Sequence, residues 1–154
     1  MPHINRNFIA LLLITTSLIG AEIKTKKGIY TYKGEKKVFH QNIIEAVKKN
    51  DNFRKEMITG KNSQVVIMSI PAGGEIGEEI HPIIDQTFFF VEGKGIAIIA
   101  GKTTEIAPEH LIFVPAGTKH NFKNTGSGPL KLFTIYAPPQ HKPGTVQKTK
   151  PLED

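Results

Sequence analysis

Gly73-Gly74-Glu75-Ile76-Gly77-Glu78-Glu79-Ile80-His81-Pro82-Ile83-Ile84-Asp85-Gln86-Thr87-Phe88-Phe89-Phe90-Val91-Glu92-Gly93 is the stretch that decides the fold. A Pro/Gly turn leads into a short polar strand over residues 75–81. A second turn opens an apolar strand over residues 86–91, which a Gly-rich hairpin closes. Side chains alternate along a strand, so Glu79 and His81 share a face and Ile80 takes the other. On the second strand Gln86, Phe88 and Phe90 share a face by the same rule.

Further along, Pro115-Ala116-Gly117-Thr118-Lys119-His120-Asn121-Phe122-Lys123-Asn124 puts a histidine three residues past the glycine of a Pro/Gly turn. Glu79, His81 and His120 then supply one carboxylate and two imidazoles. That donor set is the facial triad of a divalent transition metal with open positions. Gln86 is expected as a weak fourth ligand through Oε1, or as a hydrogen-bond partner of a bound water. Asp85 is the stronger donor chemically, but its parity aims it at the opposite face. Glu79 is also a candidate base if it leaves the metal.

The rest of the chain supports an all-β reading. Strands are expected at residues 29–32, 64–70, 96–100, 103–107, 111–114, 119–123 and 130–136, separated by Gly and Pro turns. Ile43, Ile44 and Val47 recur at helical spacing, so one short amphipathic helix is expected over residues 42–49. Phe88, Phe90, Phe113, Phe122 and Tyr136 are the candidate lining of an apolar mouth. The Tyr136 hydroxyl is a candidate donor to a bound substrate. His40, His110 and His141 have no partner at a recognisable spacing and read as surface or loop residues.

Composition narrows the classes. With no cysteine, neither a disulfide frame nor a thiolate metal site is available. The net charge of +6 is carried almost wholly by lysine, Arg6 and Arg54 being the only arginines. Scattered lysine without arginine or an aromatic stripe describes a solvated surface and not a nucleic-acid interface. No P-loop, G-x-S-x-G or dinucleotide fingerprint occurs. Residues 1–21 read as a signal peptide: Arg6 precedes an apolar run over residues 8–19, and Gly20-Ala21 offers small residues for cleavage. Residues 22–40 form an N-terminal extension with the first strands, residues 41–140 one domain, and residues 141–154 a polar C-terminal tail. No other segment is long and apolar enough to span a bilayer.

The two quoted stretches resemble the paired motifs of the cupin superfamily, G-x5-H-x-H-x3/4-E-x6-G and G-x5-P-x-G-x2-H-x3-N. Three positions depart from them. Glu79 stands for the first histidine, Gln86 for the glutamate and Glu109 for the leading glycine of the second motif. The Glu-x-His and Asp-Gln variant, with the tail elements Gly144-Thr145-Val146 and Lys148-Thr149-Lys150, resembles a branch of small single-domain bacterial cupins. The resemblance implies an all-β double-stranded β-helix, a jelly-roll barrel with one short N-terminal helix, and a site inside its mouth. It also implies one divalent ion (Fe, Mn, Zn, Ni, Co or Cu), a small-molecule ligand and often a homodimer. The functional expectation is a metal-dependent oxidoreductase, dioxygenase-like, located in the periplasm or secreted. The alternative is a non-catalytic exported module that binds a small molecule or a metal.

Overall fold

The computed structural model describes residues 29–31 and 37–152, and the expected signal peptide lies outside them. The chain divides into two units, residues 1–40 and 41–154. In the first, β1 (Ile29–Thr31) and β2 (Lys37–Phe39) form an antiparallel pair with Tyr30 opposite Val38.

The second unit opens with α1 (Ile43–Lys48), a helix shorter than expected. Asn42 caps it, its Oδ1 accepting from the Glu45 N–H at 3.1 Å. Val47 is buried while Ile44 is exposed, so only the i, i+4 pair of Ile43 and Val47 faces inward.

Nine strands follow: β3 (Arg54–Thr59), β4 (Gln64–Ile70), β5 (Asp85–Glu92), β6 (Gly95–Ile99), β7 (Lys102–Ile106), β8 (Leu111–Val114), β9 (His120–Asn124), β10 (Leu130–Ala137) and β11 (Val146–Gln147). They build a six-stranded sheet in the order β11-β3-β4-β10-β5-β8 and a three-stranded sheet in the order β7-β6-β9. All pairs are antiparallel. This is the expected all-β jelly roll, with one short helix ahead of it.

Residues 75–81 do not form the continuous strand that alternation suggests. Gly77 adopts φ +110, and the segment touches β9 at two isolated bridges, Glu75 with Lys123 and Glu79 with His120. The bridges still extend the smaller sheet by one partly formed strand. Between the sheets lies one apolar cluster that includes Val66, Met68, Phe90, Ala97, Phe122 and Leu132. Residues from both sheets feed it, as two facing layers around a single core require.

Strands β3 and β11 are absent from the sequence reading. Lys55 and Arg54 pair with Val146 and Gln147, so part of the polar tail becomes the outer strand of the larger sheet. Gly93, which closes the first motif, sits at φ +90, and a Cβ built there would lie 2.5 Å from the Pro129 carbonyl oxygen. Only glycine meets both demands.

Candidate metal centre

Glu79 and His120 face each other across an antiparallel bridge. The Glu79 N–H donates to the His120 carbonyl at 2.9 Å, and the His120 N–H donates to the Glu79 carbonyl at 3.0 Å. Directly opposed residues point to one face, so both side chains enter the barrel mouth together. His81 joins them because its carbonyl is fixed: it accepts from the Gly117 N–H at 2.7 Å. The same turn is held from its other side by Asp85, whose Oδ1 accepts from the Ala116 N–H at 2.9 Å. Asp85 is therefore an exposed staple between the two motifs and not a ligand.

The geometry converges. Glu79 Oε2 lies 3.3 Å from His81 Nε2 and 3.8 Å from His120 Nε2. One ligating atom from each of the three residues falls within 4.8 Å of the others. His120 Nδ1 is 2.8 Å from the Thr118 carbonyl, an acceptor, so that nitrogen carries the proton and Nε2 presents a lone pair. His120 Nε2 is buried and makes no hydrogen bond. Burial holds the His120 imidazolium below the usual histidine range. The neighbouring His81 works in the same direction, and the Thr118 carbonyl and Glu79 partly oppose them. A neutral, singly protonated imidazole with a free inward nitrogen is the form that binds a metal.

Gln86 occupies the inner face of β5, opposite Tyr136 on β10 and Val114 on β8. It is 1 % exposed, and neither its amide oxygen nor its amide nitrogen has a hydrogen-bond partner. An unsatisfied buried amide costs about 1–3 kcal/mol unless something in the site uses it. The orphaned Gln86 amide and His120 Nε2 both fit a divalent ion held by Glu79, His81 and His120, with Gln86 as the fourth donor or as partner to a coordinated water.

The aromatic expectations divide. Tyr136 is buried with its ring 6.0 Å from His81. Phe88 packs 5.9 Å from the His120 ring and 4.2 Å from Phe122. Phe88, Phe90 and Phe122 are fully buried, so they form the floor beneath the site and a stretch of core below it. Phe113 is not at the mouth. It sits opposite Thr87, one position out of phase with the Gln86–Val114 pair, and is 55 % exposed on the outer surface.

Three residues at the mouth were missed. Arg54 is 1 % exposed and sends Nη2 to within 3.8 Å of Glu79 Oε1. Its Nη1 donates to Gln147 Oε1 at 2.7 Å. His141 and Gln140 line the same cavity of about 320 Å³ as Arg54, Glu79 and His81. His141, expected at the surface, packs edge-on against Tyr136 at 5.0 Å. Gln64 holds it there, accepting from its N–H at 2.9 Å and donating to its carbonyl at 2.7 Å. No sequence signal marked these three residues, because nothing in the sequence alone shows that Arg54 is buried.

A larger cavity, about 650 Å³, lies elsewhere, between Phe53, Pro71, Pro129 and Lys148. It has no imidazole in its walls. Convergent polar groups define a site better than volume does, so the smaller cavity is the candidate. Asn124, the last residue of the second motif, serves the fold: its Nδ2 donates to the carbonyls of Ile70 and Gly128, each at 2.8 Å.

Comparison with known proteins agrees with the fold. The family model described as the cupin domain matches residues 66–136. Protein YrkC of Bacillus subtilis is 46 % identical over 121 residues, covering 74 % of this chain and 64 % of its own length. The chain thus spans less than two thirds of that relative. Protein L612 of Acanthamoeba polyphaga mimivirus is 35 % identical, with 76 % of each chain covered. The crystal structure of BH2720 from Bacillus halodurans superposes with a TM-score of 0.73 at 44 % identity, covering 76 % of this chain and 92 % of that one.

Proposed function

Because this chain belongs to the cupin family, with its paired motifs folded into one barrel mouth, we propose that it binds one divalent transition metal and acts there on a small molecule as an oxidoreductase of dioxygenase-like type. The observation that carries the reading is the convergence of Glu79, His81 and His120 within 4.8 Å, with His120 Nδ1–H donating to the Thr118 carbonyl. Glu79, His81 and His120 would hold the ion, with Gln86 beside them. When bound, a redox-active ion there supplies Lewis acidity and one-electron chemistry.

The chain's own residues supply the rest. His120 Nε2 and Gln86 are shut off from water, so a ligand in the mouth meets them without competition from solvent. Glu79 stands between the two imidazoles and Arg54, placed to accept a proton from a substrate lying in the mouth. Tyr136 backs His81 and His141. The Phe88 and Phe122 floor favours an organic substrate over a bare ion.

Export to the periplasm or outside rests on the apolar run over residues 8–19 and the small residues after it. No helix among the described residues is long and apolar enough to cross a membrane. Self-association is supported by the outer strand β8, which exposes Leu111 and Phe113 at the border of the larger sheet.

The test is elemental analysis of protein purified from its own compartment, beside Glu79→Gln. Near-stoichiometric transition metal in the parent and a trace in the variant support the reading. Oxygen uptake with a panel of small chelating substrates then separates catalysis from simple capture. A parent chain without metal overturns it.

A further inference from the structure

We propose that Asp85 is the positioning residue of the metal centre: by holding the Ala116 N–H it fixes one turn, residues 115–118, through which both His81 and His120 are oriented. The inference rests on the metal reading above and names what sets the two histidines in place.

The larger sheet is the fixed point. Asp85 opens β5, opposite Ala137 on β10, and the ladder of β5 with β8 ends at the next pair, Gln86 with Val114. Pro115 follows, with no N–H to extend that ladder. The Asp85 side chain takes up the pairing instead, its Oδ1 accepting from the Ala116 N–H at 2.9 Å. A carboxylate accepting from a backbone N–H makes a charge-assisted bond, stronger than a neutral one. Strand β5 is paired on both flanks, so Asp85 carries the position of a held strand to the turn.

The turn passes that position on. The Gly117 N–H donates to the His81 carbonyl at 2.7 Å, and the Thr118 N–H closes the turn on the Pro115 carbonyl at 3.1 Å. The Thr118 carbonyl accepts the Nδ1–H of His120 at 2.8 Å, which sets the tautomer and the plane of that ring. His81 needs this support, because the segment that carries it joins the smaller sheet through isolated bridges and not through a continuous ladder. One turn thus serves both imidazoles, and Asp85 pins that turn to the larger sheet.

Exposure separates positioning from folding. Asp85 and Ala116 are both exposed, so losing the carboxylate leaves no cavity, and water can satisfy the freed N–H. Water does not restore the fixed distance between turn and strand. The barrel should therefore survive while the histidines loosen.

The experiment measures zinc affinity, by competition with a chelator, in the full chain and in Asp85→Ala, Asp85→Asn and Asp85→Glu. The ring Nδ1–H of His120 is followed by NMR in the same proteins without metal, identified by its absence in His120→Gln. The parent should show that proton. Asp85→Ala should bind zinc more weakly by about tenfold or more, and its His120 ring proton should exchange with water too fast to be seen. Asp85→Asn keeps an acceptor oxygen and should recover the signal and an affinity within about threefold of the parent.

A zinc affinity or a ring signal that Asp85→Ala leaves as in the parent overturns the inference and leaves the metal reading standing. Equal losses in Asp85→Ala and Asp85→Asn overturn it too, since charge alone then accounts for them, and so does a parent whose ring proton is already invisible. Should Asp85→Ala not fold, Asp85→Glu takes its place: the charge stays, the acceptor moves by one methylene, and parent-like behaviour overturns the inference. A parent that binds no zinc overturns the metal reading, and the ring signal then decides alone. Lost in Asp85→Ala and kept in Asp85→Asn, it upholds the positioning; unchanged, it overturns it.

Discussion

Glu79 and His120 are joined by a reciprocal pair of backbone hydrogen bonds of 2.9 and 3.0 Å, which leaves their side chains facing one another with Oε2 and Nε2 3.8 Å apart. The backbone pair fixes the distance between two prospective ligands before any ion arrives. Pre-organisation of this kind lowers the cost of binding, because the donors need not be gathered. His81 is held less directly, through its carbonyl and the turn at Gly117.

Acid should loosen the metal-free protein through His120. Burial holds its folded value below that of an exposed histidine, so in the unfolded chain the same group takes a proton at a higher pH. The stabilising contribution is fully present above about pH 6.5 and is lost as pH falls through the folded value. Melting temperatures of chelator-treated protein should fall over that range, and His120→Gln should flatten the dependence. A parent curve that rises towards acid would contradict the assignment.

Replacing Gln86 should act in opposite directions on the two forms of the protein. In Gln86→Leu the buried amide without partners is gone, so the metal-free chain should gain about 1–2 kcal/mol in denaturant unfolding. The extra stability conferred by zinc should shrink, because the amide proposed to serve the ion, directly or through a bound water, is missing. A loss in both forms would mean that the amide serves packing alone.

Gly93→Ala should cost about 2–4 kcal/mol. The backbone there is left-handed, and the Pro129 carbonyl blocks any Cβ at 2.5 Å. Since the clash is with backbone, a side-chain rotation cannot relieve it. Urea unfolding measures the loss, and a change under 1 kcal/mol would refute the steric account (roughly the strain of φ alone).

Glu109→Gly should do the reverse. Glu109 stands where the second motif has its leading glycine, and its own backbone is left-handed, at φ +72. Removing the strain is worth about 1–2 kcal/mol, and the entropy of a freer unfolded chain returns part of it. A net gain of about 0.5–1 kcal/mol is expected from the same urea titration.

Much of the barrel was legible because its strands carry apolar runs between Gly and Pro turns. The motif spacing brought Glu79, His81 and His120 together correctly, although Gly77 breaks the strand whose alternation had suggested it. The spacing survives because the Glu79 bridge to His120 depends on backbone pairing with β9 and not on a regular strand. Phe113 failed on phase, since Val114 is the β8 residue opposite Gln86. Strand β3 was illegible for a different reason. Arg54-Lys55-Glu56 opens it with three charges, and its register slips between Glu56 and Ile58, so no two-residue period survives. Its partner β11 is only two residues, Val146 and Gln147, within the polar tail, and only the pairing itself reveals it.

Gln147 follows Arg54 by 93 residues and yet sets the orientation of its guanidinium. Strand β3 therefore gains this contact only once the residues of β11, near the far end of the chain, have been made. A chain cut off ahead of Val146 would lose the outer pairing of β3 and the acceptor of Arg54 Nη1 in one step.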